Sequence, residues 1–140
     1  MMRVVADTNI VVSAFLWGGI PRQILDSARR QDITLFTSAA LIAELEDVLG
    51  REKFAKRIAQ VGSSAAEMVS DYLALAHMVL PTSHPNVVRD PDDDHVIAAA
   101  LAAQAQIIVS RDNDLLDLHA YEHITIITAA EALRRIEAQQ

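Results

Sequence analysis

The chain has 140 residues, 51% of them hydrophobic, no cysteine, and a formal net charge of -7. That size and apolar share suit one domain with its own core, read as residues 1–140. Disulfides and thiolate zinc sites are excluded, no apolar run approaches the roughly twenty residues of a membrane span, and the acidic balance argues against a broad electrostatic grip on nucleic acid.

The opening Met1-Met2-Arg3-Val4-Val5-Ala6-Asp7 reaches an acid too soon for a secretory signal, so a cytoplasmic protein is expected. Val4 to Ala6 reads as a strand buried on both faces that ends at Asp7. Val11 to Trp17 is apolar and predicts a helix stopped by Gly18-Gly19, with Phe15, Leu16 and Trp17 either core or an exposed patch that docks a partner. Pro21 suits the first turn of a second helix reaching Gln31, in which Ile24, Leu25 and Ala28 share a side. Ile33 to Thr37 has strand composition, and Ser38 is an N-cap for a helix from Ala39 to Leu49, closed by Gly50.

Two helices follow, over 52–62 and 63–78, parted at Gly62-Ser63-Ser64. At the start of the first stands a basic group, Arg51, Lys53, Lys56 and Arg57, whose plain reading is a solvated helix face and whose functional reading is a grip on a nucleic-acid backbone. Met78 to Leu80 predicts a short strand before a loop from Pro81 to Pro85. The acidic run Arg89-Asp90-Pro91-Asp92-Asp93-Asp94-His95 then reads as a loop leading into a helix from Asp94 through Ala103. Gln106 to Ser110 is a strand, a short helix is expected near Leu115 to Tyr121, Ile124 to Ile127 is the last strand, and Thr128 caps a C-terminal helix through Arg135. Strands alternating with helices predict a three-layer α/β/α sandwich with a mostly parallel sheet of four to five strands.

Open parallel sheets bind ligands outside the carboxyl ends of their strands. Asp7 and Asp112 each follow a strand and are expected at that edge, and Glu44 lies on the apolar seam of the helix leaving the second strand, between Leu41 and Val48. Asp94 shares a predicted helix face with Ile97, Ala98 and Leu101. Its helix leads into a strand, so its start is expected at the opposite edge unless the preceding loop crosses the carboxyl edge. Each acid has a plain reading: a strand-end turn for Asp7, an ion-pair partner for Glu44, an N-cap for Asp94, an Asx-turn for Asp112. Brought together, four carboxylates would repel by several kcal/mol per close pair in a partly buried site, on the order expected at intermediate dielectric, unless neutralised. Oxygen-only ligation points to Mg²⁺ or Mn²⁺; calcium stays open, although no EF-hand loop is visible. His95 adjoins Asp94, and His77, His84, His119 and His123 show no metal spacing.

Asp7-Thr8-Asn9, Glu44 within Ser38 to Leu45, Asp94 before Val96 to Ala100, and Val109-Ser110-Arg111-Asp112-Asn113-Asp114-Leu115-Leu116 resemble, in order, the successive motifs of PIN domains. These are metal-dependent ribonucleases that include the VapC toxins of bacterial toxin–antitoxin pairs, and the resemblance runs from about residue 3 to residue 133. It implies Asp7, Glu44, Asp94 and Asp112 as the catalytic and metal-binding set, with Asn9 and Ser110 as polar supports. Asp114 competes with Asp112 within one loop, and Asp93 with Asp94, although the step to Ile97 favours Asp94. The resemblance also implies an RNA substrate, a homodimer and a small antitoxin that blocks the site.

The expected chemistry is phosphodiester hydrolysis, in which one ion makes water more acidic and a second, if present, stabilises the leaving oxygen. Two rival classes stand beside it. A phosphoaspartyl phosphatase would use Asp7 as nucleophile but needs an acid where Asn9 stands, and a catalytically inactive PIN-like module would serve in partner binding alone.

Overall fold

The structure, a computed structural model, describes residues 1–83, 85–86 and 91–140, so the expectations that fall on His84, Arg89 and Asp90 lie outside the described residues. In chain order the elements are β1 (Met2–Ala6), α1 (Thr8–Leu16), α2 (Gly19–Arg29), β2 (Ile33–Thr37), α3 (Ala39–Leu49), α4 (Glu52–Gln60), α5 (Ala65–Leu75) and β3 (His77–Met78). They continue as α6 (Pro91–Ala103), β4 (Ile107–Val109), α7 (Asn113–Leu116), β5 (Ala120–Tyr121), β6 (Ile124–Ile127) and α8 (Ala129–Ala138).

The strands form one sheet in the order β3-β2-β1-β4-β6-β5. Every pairing is parallel except β5 with β6. The chain builds outward from β1 through β2 to β3, then crosses to β4 on the other side of β1. The carboxyl ends of β1 and β4 therefore flank the point where strand order reverses, the usual place for a ligand crevice in such sheets.

The strands are apolar on both faces because helices cover both. Val4 and Ala6 of β1, Leu35 of β2 and Val109 of β4 pack with α1, α2, α3, α5 and α8 on one face. Val5, Phe36 and Ile108, the intervening residues of the same strands, pack with α6 and α7 on the other. The result is the expected α/β/α sandwich.

Several boundaries differ from the sequence reading, each for a local reason. Helix α1 begins at Thr8 rather than Val11, because the Asp7 carboxylate accepts from Thr8 N–H and caps it. Helix α6 begins at Pro91 rather than Asp94. Proline suits the first helical position, and Asp92, Asp93 and Asp94 in the first turn lie where the helix dipole favours negative charge. The short helix after the fourth strand ends at Leu116, and Ala120–Tyr121, expected at its end, instead forms β5 against β6. With β5 the sheet has six strands, two of them only two residues long.

The expected misplacement of the acidic helix does not arise. A helix joining two parallel strands must start at the carboxyl edge and run back to the amino edge, and α6 does so. Its last turn lies at the amino edge, where Arg3 at the start of β1 donates to Ala103 O at 2.7 Å.

Candidate metal-binding site at the sheet edge

The site is organised by Ser110, which is fully buried just after β4. Asp7 N–H donates to Val109 O at 2.9 Å, which extends the pairing of β1 with β4 by one step and sets Asp7 beside Ser110. The Ser110 hydroxyl then donates to Asp7 Oδ2 at 2.8 Å and accepts from Asp112 N–H at 3.0 Å. One side chain thus ties together the loops leaving two neighbouring strands. Asp112 Oδ1 accepts from Asp114 N–H at 2.8 Å, capping α7 and fixing the orientation of its own carboxylate. The expected Asx-turn is present.

Asp93 enters from α6. It is 5% exposed, and the residues three, four and seven positions on, Val96, Ile97 and Ala100, are all fully buried, so the inward stripe of the helix passes through Asp93. Asp93, Asp112 and Asp114 each present a carboxylate oxygen, and the three oxygens lie within 4.8 Å of one another. Three carboxylates at that separation repel by roughly 3 kcal/mol per pair at an effective dielectric of about 20. Hard divalent cations hold oxygen ligands at about 2.0 to 2.6 Å, so the spacing and the donor chemistry fit one such ion.

The remaining expected acids stand outside this cluster. Asp7 is buried and linked to Asp112 through Ser110. Asp94 is half-buried one position round α6 from Asp93, and Glu44 is half-buried on α3, which packs against both α1 and α6. Among the described residues, none of these three belongs to the close three-oxygen group. Both acids held as competitors, Asp93 and Asp114, do belong to it. Asn9 is exposed on the first turn of α1.

The basic group on α4 is divided. Arg51 pairs with Asp47 at 3.3 Å on the surface, and Lys56 is exposed. Arg57 donates to Leu16 O at 2.7 Å, bracing the end of α1, and Lys53 lies over the Phe54 ring at 5.0 Å. Phe54 in turn meets Trp17 edge-on, with ring centroids 6.0 Å apart. Of the three residues that end α1, Leu16 is buried, Phe15 is half-buried and Trp17 is exposed.

A groove beside the acids is lined by Asn9, Val12, Ser13, Trp17, Phe54 and Arg111. The sequence reading did not assemble it. The available signal is helical spacing, since Asn9, Ser13 and Trp17 recur every four residues along α1.

Residues 3–114 match the family model of the PIN domain. An uncharacterized protein of Methanocaldococcus jannaschii is 30% identical over 118 residues, covering 84% of this chain and 75% of that protein. The fold resembles the crystal structure of VapBC2 from Rickettsia felis bound to a DNA fragment from their promoter. That match has a TM-score of 0.61 and 14% identity, over 89% of this chain and 97% of the other. It also resembles the crystal structure of FitAcB from Neisseria gonorrhoeae, with a TM-score of 0.56 and 16% identity over 91% and 98% of the two chains.

Proposed function

The chain belongs to the PIN-domain family, and from that premise we propose that it is a divalent-metal-dependent endoribonuclease, the toxin of a toxin–antitoxin pair, formed by a single domain over residues 1–140. The observation that carries this reading is the group of three carboxylate oxygens at the strand-order reversal, clasped through Ser110 to a fourth carboxylate on Asp7. Asp93, Asp112 and Asp114 would hold a Mg²⁺ or Mn²⁺ ion, with Asp7, Asp94 and Glu44 completing the acidic surround. When bound, the ion supplies Lewis acidity toward a phosphoryl oxygen and makes a neighbouring water more acidic.

The protein's own groups prepare that step. Ser110 fixes the distance between the β1 and β4 loops, and the Asp114 N–H holds the Asp112 carboxylate in one orientation before substrate arrives. Arg111, which precedes Asp112 in the chain, donates to Ser13 Oγ at 2.8 Å, and this anchored guanidinium would meet a phosphate of the bound strand. Lys53, which lies over Phe54, and the exposed Lys56 would contact the strand backbone. The likeness to VapBC2 and the resemblance to VapC toxins support a small antitoxin partner and a homodimer.

One observation favours the inactive-module reading: Asp7 and Asp112 both cap helices, a sufficient structural reason for two of the acids. Incubation with a mixed pool of single-stranded RNA and Mn²⁺ separates the two. Cleavage that stops on chelation and in Asp112→Asn is expected, whereas intact RNA under every condition would establish the inactive module.

A further inference from the structure

The groove beside the acids joins features that a single-stranded nucleic acid recognises. Trp17 is the sole tryptophan of the chain and stands 57% exposed at the end of α1. Its contact with Phe54 is edge-on, with an interplanar angle of 69°, so the two rings do not cover each other face to face. Lys53 lies over Phe54, and Arg111, anchored on Ser13, lines the same groove. Asn9, Ser13 and Trp17 mark one stripe of α1, which starts directly after Asp7. At the helical rise of 1.5 Å per residue, the ten positions from Asp7 to Trp17 carry that stripe about 15 Å along the helix from Asp7. Beyond Trp17 a second pocket carries Arg22, Arg29 and Arg57, with Asp71 as the opposing charge. The groove therefore joins a guanidinium to an exposed indole flanked by cations, and its Asn9 and Arg111 closely follow Asp7 and directly precede Asp112 in the chain.

We propose that this groove is a base-stacking subsite for single-stranded RNA: an unpaired nucleobase lies on Trp17 beside Phe54, and the adjoining phosphates lie on Arg111 and Lys53. The cationic rim favours a polyanion, and because Asn9 and Arg111 of the groove adjoin Asp7 and Asp112 in the chain, the stacked base would lie a short stretch of strand from the phosphate to be cut. Stacking on an aromatic ring tolerates any base but requires it to be unpaired, so the subsite selects single strands rather than a particular sequence. The assignment of RNA rests on the ribonuclease reading; the stacking itself is measured without cleavage.

The test uses the whole chain in chelator, with single-stranded oligoadenylate as probe and oligoadenylate annealed to oligouridylate as the duplex control. Saturable quenching of the Trp17 emission by the single strand is expected, with little by the duplex. Trp17→Ala is expected to weaken binding of a labelled oligoadenylate roughly five- to hundredfold, whereas Trp17→Phe, which keeps a ring, stays within a few-fold of wild type. Trp17 is exposed, so the alanine variant should melt at the wild-type temperature, and the comparison is made on folded protein. In Mn²⁺ the same variant should raise KM with kcat little changed. Absent quenching, equal quenching by the duplex, or wild-type affinity in Trp17→Ala would overturn the subsite and leave the groove to a protein partner. Wild-type protein that binds as described but never cuts RNA would sink the ribonuclease reading and leave the stacking site standing.

Discussion

Ser110 shows how much of the site depends on one hydroxyl. It bonds a buried carboxylate and a backbone N–H from different loops, so its loss removes one hydrogen bond from each. Ser110→Ala is expected to lower stability by about 1 to 3 kcal/mol, read as a shift of the urea midpoint with unchanged slope. A midpoint equal to wild type would show that the clasp is dispensable. The acids on the strand ends were legible at this scale because strand-end position is written in the sequence. The phase of α6 was not. Val96 through Ala100 are all buried, so the helix is apolar on nearly every side, and the step to Ile97 distinguishes Asp93 from Asp94 only weakly. The pairing of Trp17 with Phe54 was hidden for a different reason: the two rings lie far apart in sequence on different helices, and so few aromatic residues gave no hint of a platform.

Among the elements, strands β1, β2, β4 and β6 and helices α2, α3 and α8 follow their sequence signals closely, helped by caps such as Ser38 and Thr128 that accept from the first turn. Helix α5 instead stops at Leu75, and His77–Met78, expected at its end, pairs with β2 as β3. Strand β5 is two residues long and is bracketed by His119 and Glu122, both in the left-handed region at φ 61° and 53°. Nothing in the identity of those residues announces that conformation, so the turn and its strand were read as helix. Helix α5 carries a testable feature of its own. Tyr72 is buried within the core beneath it, and its hydroxyl has no hydrogen-bond partner among the described residues. Burial pushes its phenol above the ordinary value of 10.0. The folded chain therefore keeps a proton that the unfolded chain gives up, and stability that is intact below pH 10 falls as the pH rises above it. Tyr72→Phe is expected to be neutral or stabilising by up to about 1 kcal/mol at neutral pH and to lessen the alkaline loss. Parallel urea midpoints for both proteins from neutral to alkaline pH would contradict this.

At the scale of the whole molecule, a sheet that builds one way from β1 and then the other places the β1 and β4 loops side by side, and α6 must begin at that same edge. Residues 7, 93, 112 and 114 are gathered by topology rather than by proximity in sequence, and no helix among the described residues is long and apolar enough to cross a membrane. With three carboxylates gathered at this edge, a divalent ion that bound there would stabilise the fold as well as serve the chemistry. The account is tested most directly by calorimetric titration of the full chain with Mn²⁺. It predicts saturable binding that weakens by more than about tenfold in Asp93→Asn and in Asp112→Asn. Equal affinity in wild type and both variants, or no binding to wild type, would contradict it.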